Sequence, residues 1–108
     1  MPSTFKSNVA ADIVTSGNTV YTCPSATQTT LIGLTLSNKS AGTVTANVFL
    51  RRSSIDYSLI SNAPILSGST LVPIGGEQKV VLQAADALKV TTSANASVDV
   101  IVSLLEIT

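Results

Sequence analysis

Between Thr29 and Ile107 the sequence alternates apolar and polar residues, in short runs separated by small-residue and proline clusters. Side chains two apart share a face only on an extended backbone, so the pattern calls for strands that each turn one face to a core. Thr29–Ser37 puts Ile32, Leu34 and Leu36 on one face and Gly33, Thr35 and Ser37 on the other. Thr43–Arg51 does the same, with Val44, Ala46, Val48 and Leu50 inward and Thr45, Asn47 and Phe49 outward. The loop Asn38–Gly42 between these runs predicts that they form a hairpin. In Ser97–Ile107 the buried face is Val98, Val100, Val102 and Leu104, and the opposite face carries Asp99, Ile101, Ser103, Leu105 and Ile107.

The stretch Val72–Thr92 organises the rest. Pro73 and Gly75-Gly76 signal a turn, Lys79–Leu82 a strand, Ala84-Ala85-Asp86 a corner and Ala87–Thr91 a second strand. Asp86 is expected to hydrogen-bond its own backbone in an Asx-type turn; as a metal ligand it has no acidic neighbour. Shorter strands are expected at Ala11–Thr15, Thr19–Cys23, Ile55–Ile60 and Thr70–Val72, with Ser61–Pro64 breaking the third. The helix-like window Gln83–Lys89 is too short to stand alone. The expected fold is therefore all-β: a single antiparallel β-sandwich, jelly-roll or immunoglobulin-like, over residues 9–108. Residues 1–8 show no periodicity and are expected to be a flexible N-terminal arm with Phe5 as its apolar anchor.

No motif for chemistry is present among the 108 residues. There is no histidine, which removes the commonest general base and metal ligand. One cysteine, Cys23, cannot form an internal disulfide and has no histidine to activate it. The six acidic residues are scattered singly, and neither a phosphate-loop spacing nor a zinc-ligand cluster is present. No enzyme and no cofactor are expected. Net charge is zero with 11% charged residues, so a nucleic-acid partner is not expected, and Arg51-Arg52 reads as a solvated strand end. The start of the chain has no signal-peptide pattern, and Val98–Leu105, interrupted by Asp99 and Ser103, is far short of a membrane span. Tyr21 and Tyr57 are candidate sugar-stacking rings, but without tryptophan ordinary packing is the simpler reading.

Three segments resemble small structural proteins of tailed bacteriophages. They are Thr19-Val20-Tyr21-Thr22-Cys23-Pro24, then Thr30–Leu34 with Ser37-Asn38, and then Val72–Val90; the resemblance extends from about Thr19 to Glu106. It departs at Ala85, where the pattern carries glycine before the aspartate, and that change asks for a less extreme backbone there. The resemblance implies a virion β-sandwich without chemistry, foremost a head decoration (cement) protein on the outer surface of the capsid. Its expected partners are the major capsid protein and further copies of itself, as a homotrimer. A neck, tail or fibre component, including a host-recognition or carbohydrate-binding module, is the alternative, and it needs Tyr57, Asn62 and Asn95 close together. Low charge and outward apolar residues fit a surface that meets other subunits. The expected contact residues are Phe5, Phe49, Ile101, Leu105 and Ile107.

Overall fold

The computed structural model describes residues 3–74, 80–95 and 97–108. These form nine strands and no helix: β1 (Ser3–Ala10), β2 (Asn18–Thr22), β3 (Gln28–Asn38), β4 (Val44–Arg52), β5 (Ile55–Ile65), β6 (Thr70–Ile74), β7 (Val80–Leu82), β8 (Ala87–Thr92) and β9 (Val98–Ile107). A first sheet runs β1-β9-β3-β6, with β7 also paired to β3, and a second runs β2-β8-β4-β5. All pairings are antiparallel. β6 lies along Leu34–Ser37 and β7 along Thr29–Leu31, so the two occupy one strand position end to end. The turn expected at Gly75-Gly76, with Lys79 after it, lies outside the described residues.

The pairing is nested. β1 pairs with β9, β2 with β8, β3 with β6 and β7, and β4 with β5. The chain is thus one antiparallel ribbon folded back at the β4–β5 turn and rolled until β9 meets β3 and β8 meets β4. That is the jelly-roll arrangement, and it decides between the two sandwich types the sequence allows.

The core lies between the sheets. Leu31, Leu34, Leu36, Val98, Val100, Val102 and Leu104 face it from the first sheet, and Val44, Ala46, Val48, Leu88 and Val90 from the second. β9 keeps the expected phase throughout. β3 does not, because a bulge between Leu31 and Gly33 puts Leu31 in the core and leaves Ile32 only half-buried.

β3 and β4 are not a hairpin. They lie in different sheets, and the chain between them crosses the edge of the sandwich. Period-two alternation reads the same for a hairpin and for such an arch, since both bury one face of each strand. The arch is held by Asn38, which is buried: its amide donates to Gly42 O at 2.9 Å and Ile65 O at 2.8 Å, and its Oδ1 accepts from Ser40 N at 2.9 Å.

The tight hairpin is β4–β5. Ser53 and Ser54 both have positive φ, 54° and 65°, as a two-residue type I′ turn requires. β5 runs on through the expected break. A bulge carries it past Asn62, whose N–H donates to Asn47 Oδ1 at 2.8 Å, and Pro64 is accepted because β5 is an edge strand.

The strand expected at Ala11–Thr15 is absent. Ile13 plugs one end of the core, fully buried, with its N–H bonded to Val98 O at 3.0 Å. Ser3–Ala10, which includes most of the expected arm, forms β1 and pairs along its whole length with β9. Polarity is the reason β1 escapes detection. Thr4, Lys6, Asn8 and Ala10 oppose Glu106, Leu104, Val102 and Val100, the inward residues of β9, while Phe5 and Val9 point to solvent. Its alternation is inside out.

Candidate interaction surface

The outer face of the first sheet is built from cross-strand rows. Directly paired residues point to the same side, so each row is read from the register. Phe5, Leu105, Thr30 and Val81 form one row across β1, β9, β3 and β7. Ser7, Ser103 and Gly33 form the next, and Val9, Ile101 and Thr35 the third. Ile107, beside Ser3 and Gln28, lies beyond the first row, and Asp99, beside Ser37, beyond the third. Phe5 is 76% exposed, Val9 73% and Ile101 50%, and Val72 and Val81 are exposed on the same sheet. Leu105 and Ile107 are half-buried by their neighbours.

Four of the five expected contact residues, Phe5, Ile101, Leu105 and Ile107, therefore share one face. Phe49 does not. It sits half-buried on the outer face of the second sheet, opposite Ser58 and Lys89. Val9, Val72 and Val81 extend the apolar face and went unlisted by sequence reasoning. Val9 and Val81 become visible only through the register that sets them beside Ile101 and Thr30.

The outer face of the second sheet is ionic. Asp56 bonds Arg51 at 3.0 Å and lies 3.7 Å from Lys89. Arg52 ends β4 with its side chain 43% exposed, and it is paired as well as solvated. Its Nε donates to both oxygens of Asp86, at 2.9 and 3.1 Å. Asp86, 3% exposed, also accepts Gln83 N–H at 2.8 Å, so it closes the corner through a residue before it rather than after it. The Arg52 guanidinium, aided by the Gln83 N–H, holds its carboxyl below the ordinary range. Ala85 in that corner has φ of 72°, so the backbone keeps the glycine-type conformation without glycine.

The first sheet has its own buried carboxylate. Glu106, 7% exposed, accepts from Lys6 Nζ at 2.8 Å and from Tyr21 Oη at 2.6 Å. Lys6 first, then Tyr21, lowers its pKa. Burial first, then the bond to Glu106, raises that of Tyr21. Thr29 and Cys23 complete this cluster, with Cys23 Sγ donating to Thr27 O at 3.3 Å. Tyr21 is thus enclosed and offers no stacking face. Tyr57 is exposed but lies five residues from Asn62 along β5, and Asn95 Oδ1 accepts from Thr15 N, so the expected sugar-binding trio is not assembled. Among the described residues no cluster of acidic or thiol groups is arranged to hold a metal.

No family model matches the sequence, and no curated protein matches it. Solved structures do. A chain of the crystal structure of the T13 IBDV viral particle superposes with a TM-score of 0.51 at 11% identity, over 96% of this chain. The protein spans 30% of the length of that viral chain. A chain of the cyanophage Pam1 capsid asymmetric unit is matched over 96% of this chain and 84% of its own, at 18% identity and a TM-score of 0.40. The fold is similar to that of the viral-particle chain, at low sequence identity.

Proposed function

We propose that this protein is a non-enzymatic structural component of a virion, of the decoration type, which binds the outer surface of a capsid and stabilises the lattice of its major protein. One observation carries the reading. Among the described residues, the outer face of the first sheet is rich in apolar side chains and nearly without charge, and the charges elsewhere are paired. Such a face gains free energy when covered and offers nothing to a small polar ligand. The jelly-roll fold and the resemblance to phage structural proteins support the same class. The mechanism is binding alone: a protein that binds only the assembled lattice stabilises it in proportion to that binding.

The test mixes purified protein with phage capsids that lack it. Saturable binding at a fixed number of copies, with a higher capsid melting temperature, is the expected result. Capsids that neither bind it nor gain stability overturn the proposal.

A further inference from the structure

The rows on the outer face of the first sheet have a symmetry of their own. The small-residue row Ser7–Ser103–Gly33 is flanked by apolar rows on both sides, Phe5–Leu105 on one and Val9–Ile101 on the other. We propose that this face packs against the same face of a second copy, about a two-fold axis that runs along the small-residue row. A half-turn about that line exchanges the flanking rows. Phe5 of one copy then meets Val9 of the other, Leu105 meets Ile101, and the small residues meet themselves. This is the self-complementarity that an isologous contact needs.

Three further features point to a second copy as the occupant. The first is charge. Asp99 is the one charged side chain on these rows among the described residues; it lies at the rim, where the half-turn sets it beside Ile107 of the other copy, and it is already held by Lys39 at 3.0 Å, so no like charges of the described residues meet. The second is size. Four strand positions by about eight residues give roughly 19 by 27 Å, or about 500 Å2 per copy. The pair therefore buries about 1,000 Å2, the lower bound for specific association, so a weak, reversible pair is expected. The third is β1. Its large apolar residues gain little from folding of the single chain, since Phe5 and Val9 face solvent while Lys6 and Asn8 face inward, and covering its outer side stabilises it. The contact is thus a two-fold pair, where the phage resemblance implies a trimer. It takes the same face on which the capsid proposal rests, so a second copy and the capsid compete for that face, and the ionic face with Phe49 stays free.

Sedimentation equilibrium from 1 to 100 µM on wild type, Ile101→Lys and Phe49→Lys tests this, with circular dichroism confirming that each variant is folded. The expected result is a monomer–dimer equilibrium that Ile101→Lys weakens ~100-fold, by placing an ammonium against apolar side chains, and that Phe49→Lys leaves unchanged. Ser103→Arg, which props the two small-residue rows apart, gives the same loss and guards against misfolding of the first variant. A wild type that stays monomeric at 100 µM overturns the proposal, also when Ile101→Lys blocks capsid binding, since the face then belongs to the capsid. A trimer, or a dimer indifferent to both variants, overturns it as well.

Discussion

The two sheets turn matching faces inward and unlike faces outward. Inside, both present close-packed Val, Leu and Ala, and each ends in a buried carboxylate satisfied by a cation, Glu106 with Lys6 and Asp86 with Arg52. Outside, the first sheet shows Phe5, Val9 and Ile101, while the second shows the Arg51–Asp56–Lys89 cluster. Folding of a single chain constrains inner faces strongly and outer faces weakly. On the proposed reading, the outer difference marks what each sheet meets after folding: protein on one side, water or a polar partner on the other.

The sharpest test of that division compares neighbours on β9. Leu104 is fully buried and Leu105 is half-buried on the outer face. Leu104→Ala is expected to cost about 3 kcal/mol in a urea melt, through lost transfer energy and the cavity left behind. Leu105→Ala, measured at concentrations that keep the chain monomeric, is expected to cost less than about 1 kcal/mol. Equal losses break the comparison, because the outer face is then part of the folding core.

The two carboxylates come next. Asp86→Ala removes the acceptor of both Arg52 and Gln83 N–H and is expected to cost about 2 kcal/mol in the same melt. Glu106→Ala leaves Tyr21 its bond to Thr29 and lets Lys6 swing to solvent, so a smaller loss of about 1 kcal/mol is expected. A reversed order shows that the first sheet depends more on its polar end than its geometry implies.

Acid sharpens the same point. Both carboxyls titrate below their ordinary values of 4.5 for Glu and 3.8 for Asp when folded, so each stabilises the protein above those values. That stability is lost as pH falls from about 4.5 through the depressed folded values. The melting temperature of wild type is expected to drop over this window, and less so in a Glu106→Gln, Asp86→Asn double variant. Parallel curves for the two proteins rule the pairs out as the source.

The smallest effect concerns Ala85. Its φ of 72° is costly for a residue with a Cβ, so Ala85→Gly is expected to raise stability by about 0.5–1 kcal/mol, with a melting temperature a few degrees higher. A loss instead shows that the greater freedom of glycine in the unfolded chain outweighs the relief. Ala85 also shows how a sequence reading goes astray: the substitution asked for a relaxed backbone, and neighbouring structure imposed the strained one. Ala85 N donates to Cys23 O at 2.9 Å and Cys23 N to Asp86 O at 2.8 Å, and these two bonds hold the corner in place.

Much of the architecture was legible in the chain because strand alternation is local. Val98, Val100, Val102 and Leu104 declare the inner face of β9, and the outward set of Ile101, Leu105 and Ile107 follows from the same period. The lack of a histidine and of a second cysteine was legible too, since no arrangement in space supplies them. Pairing was not. In a nested ribbon the first strand bonds the last, and nothing in the eight residues of β1 says that β9 lies beside them. Only the tertiary structure could place β3 and β4 in different sheets, turn the polarity of β1 inside out, and part Phe49 from Phe5, Ile101, Leu105 and Ile107. The physical reason is one of range. A side chain's face is set by its own backbone dihedrals, whereas its neighbours on that face are set by hydrogen bonds to residues far along the chain.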